Sequence, residues 1–258
     1  MDLGLRDKTA LVTGGSKGIG RAVALALAEE GCHLHLAART QADLDAVKAE
    51  IGGRHNVSVT VHAVDLSNGD AVRALAADCG NLDILVNNAG AIPGGDLQAI
   101  DEPTWRAAWD LKVFGYINLS RAVYAQMKAD GHGTIVNVIG LAGERPDAKY
   151  IAGSTGNAGL MHFTRALGGH APADNIRVVA VNPGLVATDR MEFLLRKRAT
   201  DSFGDAERWR EFLTNLPFGR AATSEEVANA VVFLASPRAS YISGTILTID
   251  GGIASRAG

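Results

Sequence analysis

The sequence has few of the residues that mark disulfide-rich, metal-stapled or fibrous proteins. Cysteine occurs only twice among 258 residues, as Cys32 and Cys79, which is too few for a disulfide framework or a zinc site. No group of residues has the spacing of metal ligands, so we expect no metal. The seven prolines and the lack of a G-x-y period exclude a collagen-like chain and a proline-rich linker.

Long apolar runs and a strong excess of one charge are also missing. Mean hydropathy is +0.07, and no apolar stretch is long enough to span a bilayer, so we expect no membrane segment. A formal net charge of −3 gives no reason to expect binding to nucleic acid or to an anionic membrane. The N-terminal residues run directly into an apolar strand pattern, unlike a signal peptide. We therefore expect a soluble, cytoplasmic protein.

Glycine, in contrast, is abundant. It accounts for 30 of 258 residues, whereas its typical share is roughly 7%. Glycine adopts backbone conformations that other residues avoid and lets a second backbone or a ligand approach closely. The excess therefore indicates tight turns, close packing of the backbone or phosphate-binding loops.

Short apolar runs alternate with helical patterns along the whole sequence, which predicts an α/β fold. Uniformly apolar strands separated by helices are typical of a parallel sheet that helices cover on both faces. We therefore expect a doubly wound parallel sheet of about seven strands. One long helix is expected over residues 104–128, and Asn68 is expected to cap another helix. The predicted strands are residues 8–13, 33–38, 57–64, 82–86, 134–139, 176–181 and 245–249.

No linker or change of composition divides the chain, so residues 1–258 are expected to form a single domain. The one irregular block, at about residues 188–216, is charged and contains helical stretches. Because it follows the sixth strand, we expect it to be a lid over the carboxyl ends of the strands. The alternative is an ordinary surface insertion.

The turn between the first strand and the first helix carries the sequence TGGSKGIG at residues 13–20. In such a turn, backbone N–H groups and the helix N-terminus bind a pyrophosphate, and glycine allows the ligand to come close. A turn of this composition between a strand and a helix predicts a dinucleotide site rather than a simple tight turn.

The residues after the second strand indicate which dinucleotide is bound. NAD sites usually have an acidic residue there to bind the ribose 2′-OH, but this sequence has Arg39 and Thr40. Arg39 and Lys17 would instead place two cations near a 2′-phosphate, so we expect NADP(H) rather than NAD(H). The alternative is that Arg39 is solvated and stacks loosely on the adenine.

Five motifs in order resemble those of the single-domain short-chain dehydrogenases/reductases, over essentially the whole chain. They are the glycine-rich turn, Asp65-Leu66, Asn87-Asn88-Ala89-Gly90, Asn182-Pro183-Gly184 and the C-terminal Ser243-Gly244 with Asp250-Gly251-Gly252. The resemblance implies a Rossmann-like sheet with the strand order 3-2-1-4-5-6-7, and a homodimer or homotetramer.

The resemblance also implies which residues contact NADP(H). Asp65 and Leu66 would contact the adenine, residues 88–90 would line the ribose and nicotinamide, and Val186 and Thr188 would hold the carboxamide. The full predicted set is Gly14, Ser16, Lys17, Gly18, Ile19, Gly20, Arg39, Thr40, Asp65, Leu66, Asn88, Ala89, Gly90, Pro183, Gly184, Val186 and Thr188.

The catalytic positions depart from the family pattern. In the family a tyrosine transfers the hydroxyl proton, a lysine four residues later lowers its pKa and binds the ribose, a serine positions the substrate oxygen, and an asparagine completes a water relay. The alignment places Gly153 at the tyrosine position, Asn157 at the lysine position, Gly140 at the serine position and Lys112 at the asparagine position. All four residues are replaced.

Three side chains remain as catalytic candidates: Tyr150, Lys112 and Asn157. Tyr150 lies one helical turn before Gly153, so its phenol is able to reach the nicotinamide if the segment is helical; the alternative is a residue that covers the mouth of the site. Lys112 is able to bind the ribose from the opposite helix, or it is a solvated helix lysine.

Glycines 153, 156 and 159 recur every three residues in a predicted helix, where each costs about 1 kcal/mol relative to alanine. Close approach of a facing helix, as at the oligomer interface that the family resemblance implies, and room for a bulky substrate beside Gly140 and Gly153 are the two explanations.

Two functions remain open. The first is an NADP(H)-dependent oxidoreductase with an atypical site, acting on the hydroxyl or carbonyl group, or an activated C=C bond, of a small molecule. The second is a catalytically inactive NADP(H)-binding protein that serves as a regulatory or partner subunit, which the loss of all four catalytic residues favours.

Overall fold

The alternation of apolar strands and helices produces a single parallel sheet. The computed structural model describes residues 2–256, and in this part of the chain seven strands pair in the order β3-β2-β1-β4-β5-β6-β7. The predicted fold class and strand order are therefore confirmed. The strands are β1 (Thr9–Thr13), β2 (His33–Ala38), β3 (Val59–Ala63), β4 (Ile84–Asn87), β5 (Gly133–Val138), β6 (Ile176–Pro183) and β7 (Ile246–Ile249).

Helices cover both faces of the sheet because successive strand residues point to opposite sides. In β1, Ala10 and Val12 pack against α1, α2 and α8, whereas Leu11 packs on the other face with α3 and α5. Asn68 caps α3 as predicted, since its side chain accepts from two backbone N–H groups. The helices are α1 (Gly18–Glu29), α2 (Gln41–Gly52), α3 (Gly69–Cys79), α4 (Glu102–Trp109), α5 (Gly115–Asp130), α6 (Ile151–His170), α7 (Asp189–Phe203) and α8 (Ser224–Ala235).

The helix predicted over residues 104–128 is present and runs from residue 102 to residue 130, but it is not a regular α-helix throughout. Between α4 and α5, residues Asp110–Phe114 form a π-helical turn inside the predicted helix, a feature that the sequence pattern did not indicate. A π turn contains one more residue than an α turn, which changes the direction of the side chains around it, and such turns are frequent at functional sites. Lys112 lies in the middle of this turn.

Parallel strands place their carboxyl ends at one edge of the sheet, where ligands of this fold class bind. The block at 188–216 lies at this edge and contains α7 and a 3₁₀-helical stretch at Ala206–Leu213. Met191, Leu195, Ala199 and Trp209 form a small apolar core that joins the two. Among the described helices, none is sufficiently long and apolar to cross a membrane.

Candidate active site

The glycine-rich turn after β1 has the geometry of a phosphate cradle. Gly14 and Gly18 have φ angles of +64° and +53°, a region that residues with a side chain rarely adopt. A Cβ atom at Gly20 would overlap the carbonyl oxygen of Gly14. Each of these three positions therefore requires glycine, and the turn exposes backbone rather than side chains.

The N-terminus of α1 is open for an anion. Lys17 precedes the helix in an extended conformation, none of the described side chains caps the helix, and its first turn has no acidic residue. The free N–H groups and the helix dipole both favour a negatively charged group there. Beside it, the side chain of Thr188 lies 3.3 Å from where a Cβ of Gly18 would be.

The loop after β4 is tied to the end of β1. The Asn88 side chain donates to the carbonyl of Thr13 at 2.9 Å, and the backbone N–H groups of Asn88 and Ala89 donate to the Thr13 hydroxyl at 2.9 and 3.1 Å. These bonds hold the two halves of the sheet together at the point where the strand order reverses, which is the expected ligand crevice.

Lys17 and Arg39, the two cations expected at the adenosine end of the predicted site, differ in whether a carboxylate pairs with them. The Lys17 ammonium pairs with Asp43 at 2.8 Å, so a carboxylate already neutralises it. Arg39 is exposed, and the pKa of Asp65 is lowered by hydrogen bonds from Ser67, with a further contribution from the charge of Arg39. The sequence alone did not indicate that Asp43, in the first turn of α2, would reach Lys17.

The predicted cofactor residues all lie at or beside the carboxyl ends of the strands. Those of the glycine-rich turn follow β1, and the others follow β2, β3, β4 and β6. By strand, they are residues 14–20, Arg39 and Thr40, Asp65 and Leu66, residues 88–90, and Pro183, Gly184, Val186 and Thr188.

Lys112 extends from the π turn into the site along Gly90. A Cβ atom at Gly90 would lie 2.8 Å from Cδ of Lys112, so glycine leaves the space that the lysine stem uses. The ammonium group donates to the carbonyl of Ile139 at 2.6 Å. Burial, together with the nearby charge of Arg190, lowers the pKa of Lys112 to about 8. It is therefore a fixed interior cation at neutral pH, not a solvated helix lysine.

Asn157 lies beside Lys112 at the end of β5. Its Nδ2 atom donates to the carbonyl of Gly140 at 3.4 Å, so Lys112 and Asn157 bind consecutive carbonyls. The side chain is only 2% exposed, yet Oδ1 has no hydrogen-bond partner within residues 2–256. A buried acceptor without a donor is costly, which makes this oxygen a point where a ligand hydroxyl would bind favourably.

The ring of Tyr150 occupies the space beside Gly153. A Cβ atom at Gly153 would overlap Cε1 and Cζ of this ring, although Tyr150 itself precedes α6 as its N-cap. Backbone bonds on both sides of Tyr150 hold the segment against Gly95. The phenol thus lies next to the position where the family pattern places a tyrosine, reached from one turn earlier in the chain.

Sequence reasoning missed Arg190, which lies at the start of α7. Its guanidinium donates to the carbonyl of Ile92 at 2.7 Å. Burial raises the pKa of Tyr150, and the positive charge of the nearby Arg190 partly opposes this rise by favouring the phenolate. Arg190 is one of several basic residues in the block at 188–216, and no local pattern sets it apart from the others.

Lys112, Tyr150 and Asn157 share one cavity of about 660 Å³. α7 also contributes to its lining, with Leu194, Leu195, Lys197, Arg198, Asp201 and Ser202. The predicted catalytic residues are therefore brought together, and the block at 188–216 borders the cavity.

Glycines 153, 156 and 159 of α6 have three different environments. Gly153 accommodates the Tyr150 ring. Gly156 is approached by Val113 and Trp109 of the same chain, since its Cβ would lie 3.0 Å from Val113 Cγ2. No described atom lies within 4 Å of a Cβ at Gly159. The space at Gly153 is thus filled by tyrosine and does not enlarge the substrate cavity, contrary to one of the two explanations.

Comparisons with known proteins agree with this architecture. Residues 8–199 match the family model described as short chain dehydrogenase. The chain is 33% identical over 257 residues to the 3-oxoacyl-(acyl-carrier-protein) reductase of Chlamydia muridarum, covering 97% of this chain and 98% of that protein. It is 32% identical to the NADPH-dependent reductase BacG of Bacillus subtilis, with 96% and 98% covered.

Among solved structures, L-sorbose reductase from Gluconobacter frateurii, complexed with NADPH and L-sorbose, is similar over the full length of both chains. Its TM-score is 0.90 at 32% sequence identity. The expected cofactor, NADP(H), is thus the one named for the Bacillus subtilis reductase and present in this complex. Matched in sequence, fold and glycine-rich turn, the chain belongs to the short-chain dehydrogenase/reductase family.

Proposed function

We propose that this chain is an NADP(H)-dependent oxidoreductase that interconverts a hydroxyl and a carbonyl group, or reduces an activated C=C bond, on a small molecule. The observation that carries the proposal is the Tyr150 ring beside Gly153, in one cavity with Lys112 and Asn157. Loss of the catalytic tyrosine alone does not account for a second phenol beside the vacated position.

The residues present fit NADP(H). Gly14, Gly18 and the open N-terminus of α1 provide the cradle for a pyrophosphate. We assign Arg39 to the 2′-phosphate, because Lys17 is already paired with Asp43. The unpartnered Oδ1 of Asn157 is a natural acceptor for a ribose hydroxyl. When bound, NADPH supplies a hydride.

The ribose end of the site uses a reversed pair of side chains. The family pattern has lysine on α6 and asparagine on the preceding helix, whereas here Asn157 lies on α6 and Lys112 on the π turn. Lys112 is anchored by Ile139 and Asn157 by Gly140. An ammonium donor and an amide acceptor therefore still converge at the end of β5. Each comes from the helix that carries the other residue in the family pattern.

Tyr150 is the proposed proton donor in the reducing direction. Hydride addition to a carbonyl forms an alkoxide, which must be protonated near neutral pH. The phenol of Tyr150 gives its proton to that oxygen, and the Arg190 guanidinium stabilises the phenolate that remains. Gly140, at the serine position, has no side chain to position the substrate oxygen, so that role is left to Tyr150 or to water.

A second candidate function rests on the same replacements. Gly140 and Gly153 lack the side chains that the family uses for chemistry, which favours a non-catalytic NADP(H)-binding subunit that regulates a partner.

We also propose a homodimer or homotetramer, by analogy with the family. Light scattering coupled to size-exclusion chromatography would measure the mass of the assembly directly.

One experiment separates the enzyme from the binding subunit. NADPH binding is measured by fluorescence titration, and NADPH oxidation is followed with pools of ketones, aldehydes and enones. We expect both binding and oxidation that depends on the added compound. Tight binding with no oxidation across the whole panel would favour the regulatory subunit, and no binding would contradict both functions.

A further inference from the structure

Three side chains with metal-binding atoms meet away from the cavity described above. They are His35 from β2, His62 from β3 and Cys79 at the end of α3. His35 Nδ1 lies 2.9 Å from His62 Nε2, and His62 Nε2 lies 3.9 Å from Cys79 Sγ. All three donor atoms lie within 4.8 Å of one another.

The alternation of side chains along β2 and β3 between the two faces of the sheet explains why the three residues converge. Leu34 and Leu36 of β2 point to the core under α1 and α2, so His35, between them, points to the opposite face, where α3 packs. In β3, Val59 and Val61 also face the first core, so His62 likewise points to the α3 side. Cys79 belongs to the core on that side. The linear spacing of these residues gave no hint of this, and the expectation of no metal rested on spacing alone.

Two of the three separations between donor atoms are close to those of a tetrahedral zinc site, and the third, between His35 Nδ1 and Cys79 Sγ, is at most 4.8 Å. Zn–N bonds of about 2.0–2.1 Å and Zn–S bonds of about 2.3 Å imply about 3.3 Å between two nitrogens and about 3.6 Å between nitrogen and sulfur. The observed 2.9 and 3.9 Å differ from these by a few tenths of an ångström, within the reach of small side-chain rotations.

The environment also suits a metal with one open coordination position. Cys79 is 6% exposed and the two histidines are partly buried, so the sulfur lies inside while the imidazoles reach towards solvent. Two imidazoles and one thiolate are borderline-to-soft ligands. Zinc prefers such ligands, whereas magnesium and calcium prefer oxygen ligands.

We propose that His35, His62 and Cys79 bind Zn²⁺, with water as the fourth ligand. On binding, the Cys79 thiol releases its proton to solvent as the sulfur–zinc bond forms, and no group changes oxidation state. The metal would join β2, β3 and α3. It would do so a few residues before Arg39 and Asp65, which follow the same two strands, so it would brace the sheet edge that carries the adenosine end of the proposed cofactor site.

The chain offers a matched control, because its second cysteine is also buried but lies elsewhere. Cys32 Sγ lies 3.3 Å from the carbonyl oxygen of Leu5 and packs in the other core. Cys32→Ser and Cys79→Ser therefore remove the same atom from two buried sites, only one of which is the proposed metal site.

The test uses Co²⁺ as a spectroscopic probe on chelator-treated, full-length protein. We expect a thiolate-to-cobalt charge-transfer band in the wild-type protein and in Cys32→Ser, abolished by an equivalent of Zn²⁺, and no such band in Cys79→Ser. A wild-type protein without the band, or a Cys79→Ser protein that retains it, would overturn the proposal.

A second measurement covers the case in which Cys79→Ser folds poorly. His62→Gln retains the thiol and a side chain of similar size but removes an imidazole ligand. With Zn²⁺ added, we expect a rise in Tm for the wild-type protein and Cys32→Ser and a much smaller rise for His62→Gln. An equal rise in all variants would show binding to surface histidines and would overturn the proposal.

Discussion

At the residue scale, the proposed proton donor and its supporting cations come from unusual positions in the chain. Tyr150 reaches the space beside Gly153 from before the helix, Lys112 reaches the cavity from a π turn, and Arg190 lies at the start of α7. Tyr150 was identifiable because it lies one helical turn before the family's tyrosine position, and Lys112 because it stands at the asparagine position. Arg190 was not, because its contacts depend on how α7 folds back over the sheet.

Arg39 should determine the preference for NADPH over NADH. We expect Arg39→Ala to weaken NADPH binding by about 10- to 100-fold, the usual effect of losing a charge-assisted hydrogen bond to a phosphate. NADH binding should hardly change, because NADH lacks the 2′-phosphate. Fluorescence titration with both cofactors measures this, and Arg54→Ala, which removes an exposed arginine paired with Glu50, is the matched control. Equal losses for both cofactors would show that Arg39 does not bind the phosphate.

Lys112 should make stability depend on pH. Its pKa is about 8 in the folded protein and about 10.4 when unfolded, so between these values the unfolded chain binds more protons. The free energy of unfolding therefore rises with pH from about 8 to 10. Urea unfolding at several pH values should show this rise in the wild-type protein relative to Lys112→Met, but not relative to the exposed-residue control Lys48→Met. A flat difference between wild type and Lys112→Met would refute the buried, perturbed lysine.

At the element scale, α6 and the π turn shape the cavity together. Gly156 lets Val113 and Trp109 pack closely against α6, and the Trp109 indole donates to the carbonyl of Ala152 at 3.0 Å. The sequence pattern predicted α6 and one long helix over residues 104–128 but could not predict the π turn, since a helical periodicity of apolar residues does not reveal one inserted residue. Because Lys112 lies within the π turn, the inserted residue affects the direction of its side chain.

Glycines 153 and 159 should respond in opposite ways to the same substitution. Gly153→Ala places a methyl group where the Tyr150 ring lies, so we expect a loss of stability of about 1–3 kcal/mol from overpacking and a strong fall in kcat. Gly159→Ala meets no described atom within 4 Å and should stabilise the protein by up to about 1 kcal/mol through helix propensity, with kcat unchanged. Chemical unfolding and turnover assays measure both. A harmless Gly153→Ala would mean that the ring does not need this space.

At the scale of the whole molecule, the site depends on the meeting of loops that are distant in sequence. The parallel arrangement was predictable because uniformly apolar strands such as β1 and β4 must be covered on both faces. The glycine-rich turn was predictable because its backbone conformation requires glycine at Gly14 and Gly18. The pairing of Lys17 with Asp43 and the meeting of His35, His62 and Cys79 were not, because they depend on tertiary distances that leave no local pattern.

The central claim, that Tyr150 replaces the missing tyrosine as proton donor, is tested most directly by removing one oxygen atom. NADPH oxidation with the best carbonyl substrate is measured for the wild-type protein, Tyr150→Phe and the exposed-residue control Tyr241→Phe. We predict that Tyr150→Phe lowers kcat by about 10²- to 10⁴-fold and leaves NADPH affinity unchanged, while Tyr241→Phe matches the wild type. Full turnover by Tyr150→Phe would contradict the claim.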